Sequence, residues 1–463
     1  MKVAVMGTGH VGLVTCVAFA SIGHDVTGTD VDAEKIDALR RGVSPFYEPG
    51  LVDALVREIA SGRLSFTLEA SEALRGAEAV FICVGTPARA DGEANLLAME
   101  LSASAIARHG GDGAVVVEKS TVPAGTADRV RLTLLREGNG RTFHVASNPE
   151  FLREGTALDD SLEPDRIVIG VESERGLDVL RRLYEPITHS GARLIVTDIR
   201  TAELAKHASN AFLAMKISFA NALARLCERT GADVTAVADV MGADPRIGRA
   251  FLNAGLGYGG YCFPKDVAAL ERLGARLGYT FTLLQEVARL NEESVEAAAG
   301  MVEEALWNLG DKRIALLGLA FKAGTDDVRF SPALALARRL LASGAHVIGY
   351  DPRATRAAKE DLPELELASD PYEAASGAHC LVVATEWEEF RSLNLPALHE
   401  LMAYPVIVDG RNLLDPAEVG GAGFWYYPMG RPPVLQDGSP SSNVERRPTG
   451  ERTAALGPVE IAG

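Results

Sequence analysis

Residues 2–12 read K-V-A-V-M-G-T-G-H-V-G. The first five form a short apolar run, the pattern of a buried strand. The next six are G-x-G-x-x-G and open an apolar helical pattern; a second strand, Asp25–Thr29, then ends at Asp30. In this context each residue has a task. Gly7 makes the turn, Gly9 lets the backbone approach a pyrophosphate, and Gly12 lets helix and strand pack closely. Asp30 is placed to accept hydrogen bonds from ribose hydroxyls and to repel a 2′-phosphate, which predicts NAD over NADP. The alternative is a glycine-rich turn with no ligand.

Outward from this unit, strands and helices alternate. Strands are expected at 79–84, 114–118, 143–147, 166–170 and 193–196, and helices near 32–41, 49–61, 95–109 and 125–136. The alternation predicts a parallel, doubly wound sheet, which binds ligands at the carboxyl ends of its strands. Three of those ends run into small or polar residues: Gly85-Thr86-Pro87, Lys119-Ser120-Thr121-Val122-Pro123 and Asn148-Pro149-Glu150-Phe151-Leu152-Arg153-Glu154-Gly155. They share an edge with the fingerprint and predict one cleft.

Residues 201–229 contain no glycine or proline and predict a single helix of roughly 43 Å, at 1.5 Å per residue. Such a helix joins two domains and carries a dimer contact. Lys206 and Asn210 are four apart and share a face among alanines. They predict a polar spot in a mostly buried helix, against the alternative of a solvated Lys206. Then comes G-Y-G-G-Y-C-F-P-K-D, residues 257–266. The glycines permit close approach or positive φ, and Pro264 suits a first helical turn. Helical spacing over 265–277 places Cys262 just ahead of a helix N-terminus. There the dipole, free N–H groups and Lys265 favour a thiolate. Asp266 falls in the first turn, within reach of a water beside the sulfur. The alternative is a buried cysteine in a tight loop.

Further helices are expected over 280–307. A second strand–loop–helix unit follows, with strands at 313–318, 345–350, 380–384 and 406–409 and a helix at 332–343. Its first loop, 317–329, is long and charged and departs from the fingerprint. It reads as a grip for a different nucleotide, with Phe321 packing and Lys322 meeting phosphate. The expected fold class is α/β: two Rossmann-like, doubly wound parallel-sheet domains joined by a long central helix. Residues 1–200 form the NAD-binding domain, 201–305 the helical dimerisation region with the cysteine loop, and 306–430 the second nucleotide domain. Residues 431–463, rich in Pro, Gly, Ser and Arg, read as a disordered tail.

Charge narrows the partners. The 463 residues include 63 acidic and 46 basic ones, a net charge of −17. That disfavours nucleic acid and anionic membranes as partners. Cys16, Cys83, Cys227, Cys262 and Cys380 are odd in number and lack metal spacing. They read as reduced thiols in a cytoplasmic protein, with no metal site. No stretch reaches transmembrane length without charges.

Together these motifs resemble the UDP-glucose/GDP-mannose dehydrogenase family from residue 1 to about 428. The resemblance rests on G-T-G-H-V-G at 7–12, F-Y-E-P-G-L at 46–51, G-T-P at 85–87, K-S-T-V-P at 119–123 and S-N-P-E-F-L-R-E-G at 147–155. It rests further on Lys206 with Asn210, Arg246 in P-R-I-G, G-Y-G-G-Y-C-F-P-K-D, F-K-A-G-T-D-D-V-R at 321–329 and D-G-R-N at 409–412. Tyr261 stands where relatives usually have serine, which leaves the local loop packing open. Phe263 and Lys265 favour the UDP-glucose branch.

The resemblance implies a four-electron oxidation of UDP-glucose to UDP-glucuronate, using two NAD in succession, in a homodimer. Cys262 would be the nucleophile, Lys206 and Asn210 oxyanion donors, and Asp266, Glu150 and Thr121 the proton-handling groups. The cofactor set would be Gly7, Gly9, His10, Val11, Gly12, Asp30, Lys35, Gly85, Thr86, Thr121, Glu154, Lys265 and Arg329. Substrate would meet Glu150, Phe151, Leu152, Glu154, Lys206, Asn210, Asn253, Gly255, Tyr258, Gly259, Phe321, Lys322 and Arg411, with Arg246 reaching in from the partner subunit. The alternatives are the same chemistry on GDP-mannose or UDP-N-acetylmannosamine, or a non-catalytic nucleotide-binding protein.

Overall fold

The computed structural model describes residues 1–87, 89 and 93–434. Its strands form two sheets. The first holds Lys2–Met6 (β1), Asp25–Thr29 (β2), Leu64–Thr67 (β3), Ala79–Ile82 (β4), Ala114–Glu118 (β5), Phe143–Ser147 (β6), Arg166–Val171 (β7) and Arg193–Thr197 (β8). Their order is β3-β2-β1-β4-β5-β6-β7-β8. The second holds Arg313–Leu317 (β9), His346–Tyr350 (β10), Glu366–Leu367 (β11), Cys380–Val383 (β12), Val406–Asp409 (β13) and Trp425–Pro428 (β14). Its order is β11-β10-β9-β12-β13-β14.

The fingerprint unit folds as its residues dictate. β4 and β5 are buried at every position, the signature of strands covered on both faces. One face packs Phe19, Phe81 and Tyr184; the other packs Met99, Ile106 and Leu134. One pairing departs from the expected all-parallel sheet. β6 and β7 run antiparallel, with Ala146 opposite Val171 and Ser147 opposite Gly170. A parallel return needs a crossover along the sheet, whereas an antiparallel neighbour does not. Here the connection carries only the short helix Ala157–Leu162. The segment 148–155 therefore stays at the carboxyl edge, where the cleft lies. The short strands β3, β11 and β14 have no counterpart among the expected strands.

The central helix spans Ile199–Thr230, slightly longer than expected. Asp198 caps its start by accepting from Thr201 N–H, and Gly231, with φ of 75°, ends it in the left-handed conformation. Ala202, Lys206, Asn210, Ala214, Ser218, Asn221 and Ala224 form a buried stripe at helical spacing. That stripe packs on the helices Cys262–Arg276 and Thr282–Leu306. Lys206 and Asn210 thus lie on the buried face.

Of the segment 431–463, the first four residues are tied down. Val434 exchanges backbone hydrogen bonds with Tyr426 at 2.9 and 3.0 Å, and Arg431 Nε bonds Asp233 at 3.0 Å. Residues 435–463 lie outside the described residues. No helix among the described residues is long and apolar enough to cross a membrane.

Candidate active site

The glycines before Cys262 are explained by what they face. A Cβ on Gly259 would stand 2.3 Å from the Phe330 carbonyl oxygen, and one on Gly260 would stand 2.8 Å from the Phe321 ring. The cysteine loop is therefore pressed against the long loop after β9, at a distance only glycine allows. The helix begins at Cys262 itself, with Tyr261 flanking it, rather than at Lys265.

Around the sulfur sits a set of buried charges. Lys206 Nζ lies 2.9 Å from Glu150 Oε1. Asp266 is fully buried; Lys265 Nζ donates to its Oδ1 at 2.6 Å and Asn210 Nδ2 to its Oδ2 at 2.6 Å. His207 stands beside this group, with Nδ1 3.6 Å from Asp266 Oδ1 and Nε2 bonded to the Val122 carbonyl at 2.9 Å. Phe151 takes the Lys206 ammonium at 5.3 Å and the Arg166 guanidinium at 4.0 Å from its ring centre. The central helix, the end of β6 and the cysteine helix thus meet at one point.

The expected thiolate is not what these charges produce. Burial, then the Glu150 carboxylate, push the Cys262 thiol up to about 12, and Lys206 only partly opposes them. Lys265, expected to favour the thiolate, is committed to Asp266 at 2.6 Å. Burial and these carboxylates therefore favour the protonated thiol over the thiolate. Lys206 behaves oppositely. Burial works against its charge, but Glu150, Cys262 and Asp266 outweigh that and raise its pKa.

On the dinucleotide side, the helix His10–Ser21 opens without any side-chain cap, and nothing stands within 4 Å of a Cβ placed on Gly9. A Cβ on Gly12 would lie 1.9 Å from the Gly7 carbonyl oxygen, as expected of the packing glycine. An open, uncapped helix N-terminus suits a pyrophosphate. Asp30 accepts from Thr8 N–H at 2.8 Å and Lys35 Nζ at 3.1 Å. Burial opposes its charge, but these donors hold its pKa below the ordinary carboxylate value. Val11 is half-buried in the first turn of that helix, and Gly85 has open space around it. Thr86 Oγ1 donates to the Thr121 carbonyl at 2.9 Å and so ties two of the predicted strand-end loops together.

On the opposite side, Glu154 accepts from Thr325 Oγ1 at 3.2 Å, and Arg329 Nη2 lies 3.9 Å from Glu154 Oε1. Burial raises the Glu154 pKa and lowers that of Lys322. Arg411 donates to the Ala384 carbonyl at 2.8 Å and the Phe321 carbonyl at 3.2 Å, and a Cβ on Gly255 would meet its Nη1 at 3.3 Å. Asn291 Oδ1 accepts from Tyr258 N–H at 2.7 Å and holds the loop. Leu152 N–H donates to Glu150 Oε2 at 2.8 Å. Gly255, Tyr258, Gly259, Phe321 and Arg411 are thus brought together. Asn253 is exposed. Arg246 is not brought in; its side chain is 88% exposed and paired with Asp244 at 2.6 Å.

Three contributors carried no role in the sequence reading. His207 had a signal, since it flanks Lys206 on a buried helix. Glu48, inside F-Y-E-P-G-L, is buried and accepts from Gly155 and Ala157 N–H at 2.8 and 2.7 Å, while His10 Nε2 stands 3.1 Å away. Lys119 Nζ reaches Asn148 Oδ1 at 3.0 Å beneath the cleft. Neither of the last two has a sequence spacing that could have revealed it.

Comparisons with known proteins agree with this geometry. Residues 1–188 match the NAD binding domain of the UDP-glucose/GDP-mannose dehydrogenase family, 200–293 its central domain and 315–416 its UDP binding domain. The chain is 44% identical to the UDP-glucose 6-dehydrogenase YwqF of Bacillus subtilis, over 95% of this chain and 100% of that protein. It is 45% identical to a UDP-glucose 6-dehydrogenase of Rhizobium meliloti, over 93% and 100%. A solved UDP-glucose dehydrogenase from Pyrobaculum islandicum superposes with a TM-score of 0.85 at 41% identity, covering 93% of this chain and 97% of that one. A UDP-D-ManNAc dehydrogenase from Pyrococcus horikoshii gives 0.82 at 31% identity, covering 93% and 99%.

Proposed function

This chain belongs to the UDP-glucose/GDP-mannose dehydrogenase family, and on that premise we propose that it oxidises UDP-glucose to UDP-glucuronate through Cys262. The observation that carries the reading is one thiol set among Lys206, Glu150, Asn210 and Asp266, with a dinucleotide loop on one side and the Phe321–Arg329 loop on the other.

NAD, when bound, supplies the hydride acceptor for both oxidations; Gly9, the uncapped helix start and Asp30 fit it. The rest falls to the chain. As the primary alcohol is oxidised, its hydroxyl proton passes to the Lys206–Glu150 pair, held at 2.9 Å. Once that proton has passed on to solvent, Cys262 Sγ bonds to the aldehyde carbon and its own proton leaves to Glu150, the carboxylate that acts most strongly on the thiol. Lys206 Nζ and Asn210 Nδ2 stabilise the oxyanion that forms. As that oxyanion collapses to a carbonyl, the second hydride leaves and a thioester remains, with no further proton released in this step. Water adds to that carbonyl, Asp266 and Glu150 with Thr121 take its proton, the C–S bond breaks, and the thiol returns with the carboxylate product.

The test is stoichiometry. Limiting UDP-glucose should yield two NADH and one UDP-glucuronate per sugar; one NADH with aldehyde as product would contradict the reading. The likeness to a UDP-D-ManNAc dehydrogenase favours UDP-N-acetylmannosamine as the second reading. Kinetics on a panel of nucleotide sugars decide between them.

The working unit in this reading is a homodimer in the cytoplasm. Phe212, Phe219 and Leu226 are exposed at sevenfold spacing along the central helix, an apolar stripe suited to a second copy. Arg246 points outward, as a residue serving a partner's site would. Mixed Arg246→Ala and Cys262→Ala subunits should regain activity through hybrid dimers. No recovery, with exchange verified, would contradict the sharing. The five cysteines are all free thiols, which supports a reducing compartment.

A further inference from the structure

Tyr261 precedes the nucleophile and has no role so far. Its ring is half-buried beside two cations. Arg329 Cζ lies 4.5 Å from the ring centre and Lys265 Nζ 5.6 Å. Cations at such distances are attracted by the ring face. The contact is reinforced by the backbone, where Gly260 N–H donates to the Arg329 carbonyl at 2.9 Å. Asp327 holds the guanidinium by its edge, accepting from Nε at 2.9 Å and from Nη2 at 2.6 Å.

A guanidinium has five N–H donors. Asp327 takes two, and among the described residues no further acceptor meets the others at hydrogen-bonding distance; Glu154 Oε1 remains 3.9 Å away. Carboxylate on the edge and ring on the face fix the plane of Arg329 while leaving donors free for an anion. Arg329 thus stands beside Glu154, at 3.9 Å, and beside the cysteine loop through the Gly260 hydrogen bond. The Tyr261 hydroxyl has no hydrogen-bond partner among the described residues, so the ring, not the oxygen, makes the contact.

We propose that Tyr261 is a positioning residue: its ring holds the Arg329 guanidinium at the cofactor side of Cys262, with donors directed to an anionic group of the dinucleotide. The inference rests on the reading that Arg329 approaches the cofactor. In the alternative, Tyr261 is only bulk that packs the loop.

The experiment measures KM for NAD and kcat, at one pH, for the full-length enzyme and four variants. Tyr261→Leu keeps bulk but loses the ring face; it should raise KM for NAD about five- to tenfold, the range of a partly desolvated cation–π contact, with kcat within about twofold. Tyr261→Phe should stay within about twofold of the parent in both. Arg329→Ala should raise KM at least as much as Tyr261→Leu, and the double variant should be no worse than Arg329→Ala alone. Should Tyr261→Leu not fold, Tyr261→Met carries the same test. An unchanged KM in Tyr261→Leu would overturn the proposal. So would a loss of the same size in the Arg329→Ala background, which would mean packing, or a Tyr261→Phe loss as large as that of Leu, which would mean the hydroxyl. If Arg329→Ala itself left KM unchanged, the proposal would fall because the reading of Arg329 beneath it was at fault.

Discussion

The two sheets begin in the same way and then diverge. Gly7 and Gly318 both have positive φ, 91° and 92°, and each donates its N–H to the end of the neighbouring strand, to Thr29 at 2.8 Å and Tyr350 at 2.7 Å. Both second strands, β2 and β10, are followed at once by an aspartate, Asp30 and Asp351. After Gly7 a helix starts at His10 and presents its uncapped N-terminus; after Gly318 no helix starts until Pro332. The two acids differ accordingly. Asp30 accepts from Thr8 N–H and Oγ1, Asp32 N–H and Lys35 Nζ, at 2.8 to 3.2 Å, and one of its partners is a half-exposed lysine. Asp351 is buried and accepts from Leu319, Ala320, Arg353 and Ala354 N–H and from Trp387 Nε1, at 2.7 to 3.2 Å. In the second unit the acid holds its own loop, and that loop brings Phe321 against Gly260 and Arg329 against Tyr261, the residues just ahead of the thiol. An aspartate in this place therefore marks a dinucleotide site only when a helix N-terminus stands beside it.

The sharpest way to break this comparison is to remove both acids in turn. Asp351→Ala leaves five donors without their acceptor and should destabilise the second unit by roughly 3 kcal/mol or more, read as an early transition in thermal unfolding. A shift no larger than that of Asp30→Ala would mean that the two acids are equivalent.

A second pair refines it. β5 and β13 hold matching places in their sheets and end in Glu118 and Asp409. Burial raises both pKa values. Asp409 accepts from Arg411, Leu413 and Leu414 N–H and from Tyr426 OH, at 2.8 to 2.9 Å. Neither Glu118 oxygen meets an N–H or hydroxyl donor; its neighbour is another carboxyl, Glu203, with which it shares a hydrogen bond only when protonated, and Asp128 and Arg131 lie further out. Because the folded-state pKa of Glu118 lies above the unfolded one, its contribution is full below the unfolded value of about 4.3 and is lost as pH rises toward the folded value. Glu118→Gln should flatten that slope and raise stability at pH 8 by about 1–2 kcal/mol, whereas Asp409→Asn should lower it by about 1–3 kcal/mol. Denaturant melts from pH 5 to pH 8 measure both; a destabilising Glu118→Gln at pH 8 would contradict the cost assigned to ionising Glu118 beside Glu203.

The smallest stability effect is expected at Asp30. Asp30→Ala should stay within about 0.5 kcal/mol of the parent while narrowing the preference for NAD over NADP by roughly tenfold. Equal use of NADP by the unaltered protein would show that Asp30 does not select the cofactor.

Much of this was legible in the sequence because it rests on local rules. The fingerprint, the buried strands and the central helix follow from periodicity and glycine spacing. Lys206 and Asn210 were placed on one face by a step of four. What was not legible depends on long-range packing. The turn of β7 against β6 comes from a connection that stays at the sheet edge. Glu48 reaches Gly155 and Ala157 across the fold, and His207 meets Asp266 only because two helices cross there. The upward push on the thiol's pKa was not legible because local rules count the helix dipole and Lys265, but not burial or the carboxylates of Glu150 and Asp266.

The central claim is that two unlike nucleotide units serve one covalent centre at Cys262. Denaturing mass spectrometry of Cys262→Ser, incubated with NAD and UDP-glucose, tests it most directly. The serine ester should hydrolyse more slowly than the thioester, so the protein should gain the mass of the sugar-nucleotide acyl group at residue 262, with turnover lower by several orders of magnitude. Near-normal turnover with no added mass would contradict covalent catalysis at this residue.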